Sequence, residues 1–396
     1  MRILLVDNSP GMGGSVRIAA ALMNGLAERG VEVAVLASRP DVFAPLLGER
    51  VRLLEVGWPG FRDVFAAEHG LFQRGLPLIG QALALRRFAK RLTPEIARAL
   101  AEWKPELVHL NNLNLPNLPV MEAVRRAGLP FVTSCQMIRF FGRREEALAA
   151  RAARVICVSQ AVRSHLLTEM RLDPLRVVVV PNGVDPAAFA GGPDHAWRRE
   201  VGLPDDAPVA CLLGRLTAWK GHHVAIAAWR VVRQKTPGAL LAIVGDGEPA
   251  YAAQCRALAG RLGLGDAVRF IGHRDDVSRV LHACDLLVHA SCYDHPSQGT
   301  VEAFGLVVIE AMAAGLPVVA TAAGGVTEVV ERDVTGKLVR PGDPDALAEA
   351  IAFYLNDHDA ALEAGLTGRR RVREWFTLER SVEQLYDVYE QVLGVS

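Results

Sequence analysis

Four charged side chains stand where they could handle a phosphorylated ligand. Arg215 and Lys220 fall in Leu213-Gly214-Arg215-Leu216-Thr217-Ala218-Trp219-Lys220-Gly221, between an apolar run with strand character and a segment of helical pattern. A guanidinium offers a two-pronged fork to phosphate oxygens and an ammonium offers a point charge. Glycines on both sides let the backbone come close, and a helix starting near Gly221 would add free N–H groups and a partial positive charge. These features together make a pyrophosphate cradle. The second pair is Glu302 and Glu310, eight residues apart around Gly305. With a helix beginning near Gly305, Glu302 lies in the loop before it and Glu310 within it. Eight helical residues span ~12 Å, enough to reach a sugar at one end and a ribose at the other. Glu310 is flanked by apolar residues, so its charge needs a partner, and a ribose diol would serve.

The elements that must position these residues are legible as hydrophobic runs. Ile3–Val6, Val31–Leu36, Leu107–Leu110, Phe131–Thr133, Val155–Val158 and Val177–Val180 read as strands. A second series is Val209–Leu213, Leu240–Val244, Val268–Ile271, Leu286–His289 and Val318–Thr321. Short strands apolar on both faces, separated by helical patterns, predict parallel sheets covered on both sides. Two series in 396 residues predict two doubly wound domains. The boundary is expected at Pro181-Asn182-Gly183-Val184-Asp185, followed by a linker-like Gly191-Gly192-Pro193-Asp194. Leu378–Leu393 reads as an amphipathic helix. So does Leu78–Leu92, whose Arg86, Arg87, Lys90 and Arg91 could meet an anionic lipid surface or simply face solvent.

Composition narrows the class. Hydrophobic residues at 51% and charged residues at 22% exclude a disordered chain. Lys+Arg and Asp+Glu both number 44, which gives no support to nucleic-acid binding. Residues 1–190 hold 24 basic and 17 acidic side chains, leaving 20 and 27 for the remainder. The net +7 of the first half suits an anionic partner or membrane surface, and chance scatter of charge gives the same count. The six cysteines form no CxxC pair, so neither a disulfide framework nor a structural zinc is expected. The opening Met1–Asp7 meets a charge too early for a signal peptide, and no apolar run is long enough to span a bilayer. A cytoplasmic protein, at most peripheral on the membrane, is the expectation. Asp343-Pro344-Asp345 and Asp357-His358-Asp359 have the letters of a metal-binding DxD but read as capping and surface residues. His222 and His223 are adjacent on a helix and point apart. Gly11-Met12-Gly13-Gly14 falls short of the GxGxxG fingerprint, and Ser38-Arg39 stands where a ribose-binding acid would be needed, so NAD is disfavoured.

Gly-Arg-x4-Lys-Gly followed by Glu-x7-Glu resembles the retaining glycosyltransferases of family 4, which have the GT-B fold. Gly13-Gly14, Val158-Ser159-Gln160, Pro181–Asp185, Gly245-Asp246-Gly247, Phe270-Ile271-Gly272, Asp285–Val288, Gly324-Gly325, Glu328 and Gly336 extend the likeness in order along nearly the whole chain. The resemblance implies an α/β architecture of two Rossmann-like domains facing a central cleft. Residues 1–185 would bind the acceptor and 186–377 the nucleotide-sugar donor, with 378–396 a helix returning to the N-terminal domain. It implies that Arg215 and Lys220 hold the donor diphosphate, that Glu302 contacts the donor sugar and that Glu310 binds ribose. Gly13, Gly14, Gly214, Gly245, Gly272, His273 and the backbone of Phe304, Gly305 and Leu306 would complete the donor site. No metal or other cofactor is implied. The donor would be a UDP- or GDP-sugar and the acceptor a glycan or lipid-linked molecule, as in polysaccharide or lipopolysaccharide synthesis.

Two departures stand out. Where the family often has a histidine facing the donor sugar, after Phe131-Val132-Thr133-Ser134, this chain has Cys135-Gln136, and Gln136 can donate a hydrogen bond but cannot titrate. His109 matches a different family position and is placed with Asn111 on the acceptor side. The stretch Ser291–Val301 looks longer than usual and reads equally as a donor-site lid or as a plain loop insertion. Two other readings compete: a sugar-nucleotide binding protein without turnover, and a non-hydrolysing sugar-nucleotide epimerase.

Overall fold

A computed structural model describes residues 1–58, 77–292 and 301–395, with side chains from residue 83 onward in the second stretch. The N-terminal sheet has seven strands in the order β3-β2-β1-β4-β5-β6-β7. They are β1 (Arg2–Asp7), β2 (Glu32–Ala37), β3 (Val51–Leu54), β4 (Leu107–Asn111), β5 (Phe131–Cys135), β6 (Arg154–Cys157) and β7 (Val177–Val179). The second sheet has six in the order β10-β9-β8-β11-β12-β13: β8 (Val209–Leu213), β9 (Leu240–Val244), β10 (Val268–Gly272), β11 (Leu286–His289), β12 (Val318–Thr321) and β13 (Gly336–Val339). Every pairing is parallel. The strand order reverses between β1 and β4 and again between β8 and β11. In such sheets the crevice beyond the carboxyl ends of those strands takes the ligand.

The hydrophobic runs became strands because both faces are covered. Ile3, Leu4, Leu5 and Val6 of β1 are all essentially inaccessible, as a central parallel strand requires. The helices that matter below are α1 (Gly14–Glu28), α2 (Pro77–Trp103), α3 (Gln160–Glu169), α4 (His222–Lys235), α5 (Leu306–Ala314) and α6 (Leu378–Leu393). α2 extends well beyond the amphipathic Leu78–Leu92. Its Phe88, Leu92 and Ile96 are buried in the N-terminal core, and Arg86, Arg87, Lys90 and Arg91 are exposed. Among the described residues no helix is long and apolar enough to cross a membrane.

The chain passes from one sheet to the other through Pro181–Asp185. The Val184 N–H donates to the Phe376 carbonyl (3.0 Å) and the Leu378 N–H returns a bond to Val184 (2.8 Å). From there α6 packs on α1: Val382, Leu385, Val388 and Tyr389 share a core with Leu5, Met23 and Leu26. The helices approach closely because residue 25 is glycine, where a Cβ would lie 2.5 Å from the Val382 side chain. Asp343 and Asp357 each accept a hydrogen bond from an N–H in the first turn of a helix (3.0 Å each), so the DxD-like stretches are caps.

Candidate active site

At the carboxyl end of β8 the chain turns through Gly214 and Arg215 into a short 3-10 segment, Ala218–Lys220, and enters α4 at Gly221. Gly221 has φ 72, and a Cβ there would sit 1.8 Å from the Ala290 carbonyl oxygen. Only glycine permits this approach of the loop to the segment after β11. The result brings Lys220 to Glu302, Nζ to Oε2 at 2.6 Å, with side chains 19% and 12% exposed. The Lys220 ammonium also lies 4.3 Å from the centre of the Trp219 ring.

Glu302 has two further partners that the sequence did not single out. Nε2 of His289, the last residue of β11, is 3.0 Å from its Oε2, and the Ser291 hydroxyl donates to the same oxygen at 3.2 Å. His289 and Ser291 are 3.1 Å apart. Burial would raise the Glu302 carboxyl, but the Lys220 charge and the His289 hydrogen bond outweigh it and hold it well below the usual carboxylate range. The signal for His289 was its place as a polar residue ending an otherwise apolar strand, where doubly wound sheets present ligand groups.

Two helix N-termini meet at this place. α5 starts after Gly305 (φ 95), and α1 starts after Gly13. A Cβ on Gly14 would lie 2.8 Å from Leu306 Cδ1, so the starts of the two helices touch across the domain boundary. Their first-turn N–H groups lack intrahelical acceptors and favour an anion. Glu310 lies one turn into α5, half-buried; burial pushes its carboxyl up to about 7, with Arg17 of α1 pulling the other way. Arg17 itself pairs with Asp275 of the second domain at 3.0 Å.

The remaining donor-side residues fall along the same sheet edge. The Gly214 N–H bonds to the Val244 carbonyl (3.0 Å) and the Gly245 N–H to the Gly272 carbonyl (2.8 Å), placing the three glycines in a row at the ends of β8, β9 and β10. Arg215 is exposed and has no partner among the described residues. His273 is exposed and 3.3 Å from Asp275. The Phe304 ring is buried against Phe376, with centroids 5.8 Å apart, so only its backbone can serve a ligand. His222 is fully buried while His223 bonds the Tyr251 hydroxyl (2.8 Å), so the two diverge. The described residues contain no cluster of three or more metal-ligating side chains. Of the proposed lid, Tyr293–Thr300 lies outside the described residues.

On the N-terminal side the structure corrects two assignments. His109 does not line the cleft. It is 3% exposed, with Nδ1 2.5 Å from the Tyr389 hydroxyl and Nε2 2.6 Å from the Ser134 hydroxyl. Burial lowers it to about 3, so it is a neutral core residue that ties α6 to the sheet. Asn111 is 1% exposed and acts through its neighbours: Nδ2 donates to Asp7 (2.6 Å) and Oδ1 accepts from Gln136 Nε2 (3.0 Å). Gln136 is half-buried at the end of β5. Two residues on, Ile138 forms an antiparallel bridge with Val301, the residue before Glu302. Gln136 and Glu302 thus flank one interdomain contact.

A second contact supports the Glu302 loop from behind. The Ser159 hydroxyl, capping α3, donates to the Ala303 carbonyl at 2.7 Å. Glu328 of the second domain accepts from the Gln160 and Ala161 N–H groups (2.8 and 2.7 Å), so α3 is held at its N-terminus by a carboxylate from across the boundary.

The two-domain fold agrees with the comparisons. Residues 12–188 match the profile Glycosyltransferase Family 4, and residues 194–371 match Glycosyl transferases group 1. The chain belongs to the family 4 glycosyltransferases, with a GT-B fold. It is similar to the D-inositol 3-phosphate glycosyltransferase of Salinispora arenicola (35% identity over 266 residues, 63% of this chain and 57% of that protein). The protein of the same name from Stackebrandtia nassauensis is 35% identical over 232 residues, 56% of this chain and 51% of the relative. The matches thus span little more than half the length of these curated relatives. Among solved structures, Anabaena HepE in complex with UDP and glucose superposes with a TM-score of 0.80 at 25% identity, covering 99% of this chain and all of that one. Sucrose-phosphate synthase from Thermosynechococcus elongatus shares the fold, with a TM-score of 0.79, 24% identity and full coverage of both chains.

Proposed function

We propose that the protein transfers a hexose from a UDP-sugar to a hydroxyl of a glycan or lipid-linked acceptor, with retention at the anomeric carbon and without a metal. The observation that carries this reading is the cluster of Lys220, Glu302, His289 and Ser291 beside the abutting starts of α1 and α5. The bond that breaks joins the anomeric carbon to a diphosphate oxygen, so negative charge grows on the leaving group. Lys220, Arg215 and two helix N-termini supply fixed positive charge for it, which is the role a divalent cation would otherwise fill. Glu302, held ionised, suits the sugar hydroxyls and the positive charge growing on the ring. Glu310 suits the ribose. HepE supports UDP as the nucleotide, since that homologue was solved with UDP bound. In the family's usual account of retention, attack comes from the face of the leaving group and a donor phosphate oxygen takes the acceptor proton. The exposed basic face of α2 suits a peripheral contact with anionic lipid, on the cytoplasmic side.

The test is UDP release from UDP-glucose and UDP-galactose in EDTA, with GDP-mannose as comparison, followed by NMR of the product's anomeric configuration. Release of UDP with retention supports the reading. A well-folded protein that consumes no nucleotide-sugar refutes it, and so does an inverted product for the stereochemical part.

A further inference from the structure

The loops after β1 and β4 form a shelf of neutral amides on the N-terminal side of the cleft. Asn8 Nδ2 donates to Asn114 Oδ1 (3.1 Å) and to Asn117 Oδ1 (2.8 Å), and Asn114 Nδ2 returns a bond to Asn8 Oδ1 (2.8 Å). Asn117, fully buried, donates to the Asn112 carbonyl at 2.6 Å. Beneath them the buried Asp7 takes the Ser9 N–H (2.8 Å), the Ser9 hydroxyl (3.1 Å) and Asn111 (2.6 Å), and Asn111 fixes Gln136. These bonds set how each amide is turned.

What remains unspent among the described residues is a mixed set. Gln136 gives one N–H to Asn111 and keeps Oε1 and a second N–H. Asn114 keeps one N–H. The Asn112 side chain meets, among the described residues, just the Ser9 hydroxyl, at a long 3.5 Å, and keeps Oδ1. Asn112 also has φ 84, a left-handed backbone that asparagine tolerates better than most residues. Such conformations persist where the surroundings impose them, often at ligand sites. All three side chains are half-buried; Asn112 and Asn114 follow β4 at its switch point with β1, where ligands bind, and Gln136 follows the neighbouring β5.

Cations are the other half of the argument. Among the described residues, Arg39 and Arg139 stand at the shelf's loops and each already has a carboxylate, Asp41 (2.6 Å) and Glu145 (2.7 Å), while Arg17 of α1 is paired with Asp275 (3.0 Å). Arg39 reaches the Pro10 carbonyl and Arg139 the Leu113 carbonyl, both 3.2 Å. A phosphate placed here would face the amide oxygens of Gln136 and Asn112, which can only accept, above the buried Asp7 carboxyl. A hydroxyl both donates and accepts, and so satisfies amide oxygens and N–H groups alike. Resting on the proposed glycosyl transfer, we infer that the acceptor unit seated on this shelf is an uncharged polyol or sugar ring. It is not a ring phosphate of the kind named for the inositol 3-phosphate relatives. The basic face of α2 is a separate feature and can meet an anionic group elsewhere on a larger acceptor.

The test uses the full chain with UDP-glucose and matched acceptor pairs: myo-inositol against inositol 3-phosphate, and methyl glucoside, methyl galactoside and methyl mannoside against their 6-phosphates. Donor hydrolysis without acceptor is measured in parallel. The expected result is transfer to at least one uncharged ring, with kcat/KM at least ten-fold lower for its phosphorylated partner. Preference for the phosphorylated member of any pair overturns the inference. Donor hydrolysis with no uncharged ring accepted overturns it as well. Absence of both donor binding and donor hydrolysis is a different failure, that of the glycosyl-transfer reading itself, and removes the inference with it.

Discussion

Replacing Lys220 with alanine tests both the electrostatics of the site and its chemistry. The ammonium is 2.6 Å from Glu302, and both side chains are largely shielded from water. Breaking a buried pair by removing one member typically costs about 3–5 kcal/mol. Here Glu302 keeps His289 and Ser291 and retains some solvent contact, so a loss of about 2–3 kcal/mol is expected by urea denaturation at pH 7. In a Glu302→Gln background the same change should cost much less, because the neutral amide no longer needs a cation. The double-mutant coupling should exceed about 1 kcal/mol. The sign with pH follows from the depressed carboxyl. Its stabilisation is fully present above the unfolded-state value of about 4.3 and fades as pH falls through the folded value. The deficit of the Lys220→Ala protein should therefore shrink below about pH 4. For turnover, losing one donor aimed at developing negative charge costs about 10²–10³ in kcat. Additive stability effects would refute the pairing argument. Wild-type turnover in a folded Lys220→Ala protein would refute the role of the loop.

Three other changes probe separate parts of the site. Glu310 has its folded-state carboxyl raised to about 7. Its contribution favours folding below the unfolded value of about 4.3 and is lost as pH rises through 7, so Glu310→Gln should be more stable than wild type at pH 8, by thermal melting, by about 1–3 kcal/mol. The same variant should bind donor more weakly, and wild-type donor KM should rise as pH falls below 7. Tyr389→Phe leaves the buried His109 Nδ1 without its 2.5 Å partner; a loss of about 1–3 kcal/mol in urea with kcat unchanged is expected, whereas a large fall in kcat would return His109 to the active site. Ser159→Ala removes the bond to the Ala303 carbonyl and should lower kcat several-fold with little effect on the Kd for UDP. Recovery in Ser159→Thr would separate lost positioning from general damage.

Much of this was legible in local pattern. The central strands are unbroken apolar runs such as Ile3–Val6 and Leu240–Val244, the pattern of strands buried on both faces, and their shortness separates them from buried helices. The two strands that were missed, β3 and β13, are sheet edges. Val51-Arg52-Leu53-Leu54 carries a charge, and Gly336-Lys337-Leu338-Val339 opens with glycine and a lysine, so each looks like loop until its neighbour supplies the ladder. The Gly-Arg-x4-Lys-Gly loop and the Glu-x7-Glu helix start were visible because their residues are close in sequence. His109 was misplaced because its partner Tyr389 is 280 positions away, and no local signal distinguishes a satisfied core histidine from one lining a cleft. His289 and Ser291 went unnoticed for the related reason that their role depends on Glu302 folding back beside them.

The most direct test of the donor site is a calorimetric titration of UDP into the protein in EDTA, repeated with Lys220→Ala. Measurable binding to the wild type without metal, weakened at least ten-fold in the variant, is the expected result. Absence of binding to a folded wild-type protein, or equal affinity in both, would contradict a cradle built from Lys220 and the starts of α1 and α5.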